Sequence, residues 1–128
     1  MKKENKKITE LVKTFEDARK LTGRPDVPDF SNLPTDMRKH FEAQYKMIVI
    51  AEALNEGWVP DVCDNSVYRW YPWFKTNGSP SSFAFDGSYY VFANANAGSG
   101  SRLKFRTREL AKYAAEQFID IWKDIQIG

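Results

Sequence analysis

The chain has a single cysteine, Cys63, and a single histidine, His40. One cysteine excludes an intrachain disulfide and points to a reducing, intracellular setting. One thiol and one imidazole cannot supply the several nitrogen and sulfur ligands of a structural zinc site. As a nucleophile and base the two lack an orienting third group and an oxyanion-hole motif. Long apolar runs are missing as well. The longest, MIVIA at Met47 to Ala51, is far short of the roughly 20 residues that cross a bilayer. The amino end, MKKENKKITE, is basic but leads into a polar helical pattern, where a signal peptide needs an apolar stretch. Charge of one sign is scarce: 19 Lys and Arg against 17 Asp and Glu leave a net charge of +2. Charge alone therefore marks no nucleic-acid binder. These absences give an expected soluble, cytoplasmic protein with no membrane partner.

Aromatic side chains are what the chain has in plenty, 15% of 128 residues. They gather between Tyr68 and Phe92, in VYRWYPWFKT, SSFAF and SYYVFAN. The length suits one domain over 1–128 with an ordinary core. Within it, residues 1–7 are expected to be disordered and residues 23–34, rich in proline, to form a loop.

Ile8, Leu11, Val12 and Phe15 recur at i, i+3, i+4 and i+7, which predicts an amphipathic helix over Lys6 to Leu21, stopped by Gly23 and Pro25. Phe30 and Leu33 are expected to pin the loop that follows. Thr35 is a suitable amino-terminal cap for a second helix. Met37, Phe41, Tyr45, Ile48 and Val49 form one face of it. Ile50, Ala53 and Leu54 widen that face until the carboxyl half is apolar on most sides, as befits a core spine. Gly57 is placed to end it in a left-handed conformation. From Val67 the pattern changes to strand formers, with Pro72 restricting that strand to an edge or a bulge. Asp86-Gly87, between SSFAF and SYYVFAN, reads as a two-residue hairpin turn. SRLKFR alternates Leu103 and Phe105 with Arg102, Lys104 and Arg106, and Thr107 caps a last helix striped by Leu110, Tyr113, Ala114, Phe118, Ile121, Trp122 and Ile125. The expected class is α+β: two helices, a three- to four-stranded antiparallel meander, and a carboxyl-terminal helix, with the helices on one sheet face.

Glycines at Gly98 and Gly100 precede a strand and not a helix, and no Gly-Lys-Ser/Thr follows, so the phosphate-cradling loop is absent. The helix start at Thr107, flanked by Arg106 and Arg108, is the better anion site in principle. Asp61, Asp64 and Asn65 lack the spacing, the glycine and the closing Glu of a calcium loop, and read as a turn. Glu52 and Asn55 read as groups bonded to backbone or lying at the core edge. No catalytic residue, cofactor site or metal site is assigned.

Three phrases, IVIAEALNEGWVPD, YPWF and GSRLKFRTRELAKYAAEQFIDIWKD, together resemble a family of small uncharacterised proteins of bacteriophages and mobile elements of gut bacteria. The resemblance runs from about Met47 onward and implies a phage or prophage product acting inside a bacterial cell, with no activity attached. The functional expectation is a non-enzymatic interaction module whose partner is another protein. Its expected contact surface is Tyr68, Trp70, Tyr71 and Trp73 beside the strand cations Arg102, Lys104 and Arg106. The alternative reading is single-stranded nucleic acid held by the same face, bases on rings and phosphates on cations. A small enzyme without a recognisable motif is a further alternative.

Overall fold

The computed structural model describes residues 6–61, 63–64, 66–91 and 100–128. Their order is α1 (Ile8–Leu11), α2 (Phe15–Thr22), α3 (Thr35–Leu54), β1 (Arg69–Lys75), β2 (Ala84–Val91), α4 (Arg108–Gln117) and α5 (Ile119–Ile127), with 3₁₀ turns at Pro80–Ser82 and Ser101–Leu103. The class is α+β, as expected, but the described sheet has two strands and not three or four.

The expected first helix is two helices, because Thr14 restarts it. The Thr14 hydroxyl accepts from the Asp17 amide at 3.1 Å, while the Asp17 carboxylate accepts from the Lys13 and Thr14 amides at 3.0 and 3.2 Å. This reciprocal cap satisfies donors that a new helix would otherwise leave bare. Val12, in the extended link, is fully buried. Gly23 ends α2 at φ 74°, as expected. In the loop after it, Phe30 packs near Phe41 with ring centroids 6.2 Å apart, and the Tyr45 hydroxyl donates to the Pro25 carbonyl.

α3 begins at Thr35, but the cap position is Pro34 and no side chain caps the helix. Its carboxyl half carries the centre of the core: Met47, Val49, Ile50, Ala51, Ala53 and Leu54 are all buried. Each of the larger ones contributes about 1.5–3 kcal/mol relative to exposure. α2 and α5 both pack against α3. Met37 and Phe41, expected on the packed face, stay half-exposed at the amino end. Glu56 and Gly57 both take left-handed backbone, at φ 52° and 82°, and the Gly57 amide donates to the Glu52 carbonyl.

β1 and β2 pair antiparallel, Trp70 opposite Tyr90 and Tyr71 opposite Tyr89. Asp86-Gly87 is not a hairpin turn. β2 runs through it as a bulge: Trp73 pairs with Gly87 and Phe74 with Phe85, leaving Asp86 as the extra residue. Gly87 has φ 142°, a conformation side chains disfavour, and a bulge needs such freedom just as a turn does. The reversal lies earlier, through Asn77 and Gly78, both at positive φ, and the 3₁₀ turn at Pro80–Ser82.

SRLKFR also departs from expectation. Ser101–Leu103 is a 3₁₀ turn, and only Phe105 pairs, in an isolated antiparallel bridge to Trp70 with N–O distances of 3.0 and 2.8 Å. Pro72 explains the brevity. Trp70 turns its N–H and C=O toward Phe105, so Pro72, two residues on, faces the same side without a donor. Asn55 holds the bridging segment instead. Its Nδ2 donates to the Lys104 carbonyl at 2.8 Å and its Oδ1 accepts from the Arg106 amide at 2.9 Å.

Thr107 caps α4 as expected, its hydroxyl accepting from the Leu110 amide at 3.1 Å. The last helix is nonetheless broken at Phe118, φ −115° and ψ 35°. The Trp122 indole N–H donates to the Ala114 carbonyl at 3.1 Å, joining the Phe118 amide there.

Candidate functional site

Alternation along β1 separates the aromatic cluster into two groups. Trp70, Pro72 and Phe74 turn toward the helices. Phe74 lies 5.4 Å from Trp122 and 4.7 Å from Phe83, and the Arg108 guanidinium sits 4.9 Å over the Trp70 ring. Tyr68 and Tyr90 extend this group to the sheet edge, stacked at 4.6 Å, with Tyr90 5.0 Å from Trp70. Tyr71 and Trp73 turn the other way. Tyr89 joins them from β2, with centroids 6.5 Å from Tyr71 and 5.1 Å from Trp73. Trp73 is 50% exposed and Tyr89 49%. Phe92 lies outside the described residues.

The three cations expected to share a strand face are dispersed. Lys104 is buried, its ammonium 5.1 Å over the Tyr71 ring. Burial, reinforced by the nearby Arg69 charge, pushes its pKa down to about 8. Arg69 itself is fully buried, so the Arg69 end of this face is closed. Arg106 is ion-paired to Glu56 at 2.8 Å, beside the end of α3. Arg102, exposed, lines a groove beside α3 and no hydrogen bond or ion pair among the described residues holds it. The 3₁₀ turn removes the two-residue period that would have aligned all three.

Of the seven expected contact residues, the structure brings Tyr71 and Trp73 together with Lys104 on one face. It sets Tyr68 and Trp70 on the other and leaves Arg102 and Arg106 near α3. Tyr89 completes the open face and was not among the expected residues. Its signal lay in the pairing register, which reads differently once Asp86-Gly87 is taken as a turn. Asn55 was legible as a polar group on an apolar helix, and its role is to hold backbone.

Asp61 and Asp64 form turns, accepting from the Cys63 and Ser66 amides at 2.9 and 2.8 Å. Asn65 and the glycine loop through Ser99 lie outside the described residues. His40 packs edge-on to Phe41 on the amino half of α3, and Cys63 is exposed in the turn beyond its carboxyl end. Among the described residues no three His, Cys, Asp or Glu side chains gather as a metal site, and no helix is long and apolar enough to cross a membrane. The chain matches no protein-family model, no curated protein and no solved structure.

Proposed function

We propose that the chain is a non-catalytic module that binds another protein through the face formed by Tyr71, Trp73 and Tyr89. The observation that carries this reading is the half-exposed Trp73 ring lying 5.1 Å from the half-exposed Tyr89 ring on the sheet side away from α4. Large apolar rings with one polar edge are favoured at protein interfaces, where Trp and Tyr supply much of the binding energy. The β1–β2 ladder fixes both backbones, so little freedom remains to be lost on docking. Single-stranded nucleic acid would need cations along this face. Of the three expected strand cations, Arg106 is committed to Glu56, Arg102 stands at the groove beside α3, and Lys104, though on this face, is buried. Exposed Lys75 beside Trp73 is a single charge and no track for a phosphate backbone, which favours a protein partner. The setting, a phage-type accessory protein in the bacterial cytoplasm, rests on the resemblance of its sequence phrases.

Site-specific photo-crosslinking in bacterial lysate tests the proposal. A benzophenone side chain at Trp73 should yield a discrete protein adduct, and the same group at Lys112, exposed on α4, should yield none. Equal adducts at both positions, or adducts to nucleic acid alone, would overturn it.

A further inference from the structure

A groove of about 360 Å³ runs between the carboxyl half of α3, the segment after it, and the 3₁₀ turn at Ser101–Leu103. That volume falls within the range of small-molecule sites. One wall is apolar, formed by Ile48, Trp58, Val59 and Pro60. Val59 is 81% exposed, so this wall is open to an occupant.

The polar wall holds Arg24, Glu52 and Arg102. Arg24 grips Glu52 as a fork, Nε to Oε1 and a terminal nitrogen to Oε2, both at 2.8 Å. Both carboxylate oxygens are thereby engaged and the charges of that pair cancel. One positive charge remains, the Arg102 guanidinium, whose planar donors suit a carboxylate. The end of α3 opposes any further negative charge, since the carboxyl end of a helix is its negative pole. The carbonyls of Ala51, Glu52, Ala53 and, just beyond the helix, Asn55 are already engaged by the amides of Asn55, Gly57, Glu56 and Trp58. The balance tolerates one negative charge and disfavours two.

From this arrangement we infer that the groove is a binding site for an organic monoanion, a carboxylate held by Arg102 on a compact apolar body laid against Trp58, Val59 and Pro60. The site is separate from the aromatic sheet face and does not depend on it. Two sources share this chemistry, a free small carboxylate and the carboxyl terminus of a peptide ending in an aromatic residue.

Heteronuclear NMR titration of the full chain tests the inference, with phenylacetate as probe and phenylacetamide as its uncharged counterpart. Saturable shifts should appear at the Trp58 indole N–H and the Arg102 amide, with phenylacetamide at least tenfold weaker. Arg102→Gln should lower phenylacetate affinity at least tenfold. Among the described residues no hydrogen bond or ion pair holds the Arg102 side chain, and Glu52, which feels its charge, stays forked to Arg24, so the variant's spectrum should otherwise match the parent. Lys112→Gln should leave binding unchanged. A peptide ending in free Phe, compared with its amidated form, separates the two sources: tighter binding than phenylacetate assigns the peptide terminus, weaker binding the free acid. Absence of saturable shifts at millimolar probe, equal binding of the amide, or undiminished affinity in Arg102→Gln would overturn the inference.

Discussion

Asn55→Ala removes both hydrogen bonds that hold the Lys104–Arg106 backbone against the end of α3. Asn55 is buried, so water cannot readily replace the amide. Each bond contributes about 1 kcal/mol net, and a buried group stripped of its partner loses about 1–3 kcal/mol. The expected loss is about 2–4 kcal/mol, a large share of the 5–15 kcal/mol typical of a domain. With a urea m-value of about 2 kcal/mol/M, the midpoint should fall by about 1–2 M. Asn55→Asp sharpens the test. It keeps an acceptor for the Arg106 amide but points a carboxylate at the Lys104 carbonyl and at the negative end of α3. It should be at least as damaging as alanine. Hydrogen exchange should quicken at the Arg106 amide more than at Leu110, whose amide is held separately by Thr107. A midpoint shift below about 0.3 M for alanine, or an unimpaired aspartate variant, would refute the reasoning.

Lys104 gives a pH dependence. Its folded pKa, about 8, lies below its ordinary value of 10.5, so between those values the unfolded chain binds more protons. Stability should therefore rise as pH increases from 8 toward 10, and the urea midpoint should show it. Above pH 10 the raised Tyr113 pKa opposes the trend. Lys104→Met should abolish the rise, and a rise that persists in that variant would contradict the assignment. Gly87→Ala should destabilise by about 1–3 kcal/mol in urea unfolding through backbone strain at φ 142°. Its Cβ would meet only ordinary contact with Tyr89, so a neutral substitution would deny the bulge its conformation. Thr107→Ala should cost about 1 kcal/mol by loss of the α4 cap, measured the same way.

Signals that act within one turn of chain were legible in the sequence. Gly23 stops α2, Gly57 follows the end of α3 in left-handed backbone, Thr107 caps α4, and Pro72 limits its strand, all from local chemistry, whereas the cap expected at Thr35 falls on Pro34 and uses no side chain. The restart at Thr14 was legible too, as Thr-x-x-Asp, but the apolar period of Ile8, Leu11, Val12 and Phe15 runs across it without a fault. The break at Phe118 falls within an unbroken apolar stripe, and the Trp122 indole bond to Ala114 that spans it, eight residues back, is a contact no local pattern encodes. Asp86-Gly87 serves a turn or a bulge equally well, because both need a residue at positive φ. That one ambiguity changed the strand count and hid Tyr89 from the aromatic face. The expected basic face failed for a related reason: alternation implies a shared face only in extended backbone, and Ser101–Leu103 is not extended.

Hydroxyl-radical footprinting of the isolated chain tests the aromatic face most directly. Trp73 and Tyr89 should oxidise rapidly, while Trp122, 3% exposed, should be strongly protected and Trp70 intermediate. A Trp73 as protected as Trp122 would contradict the open face, and with it the docking surface.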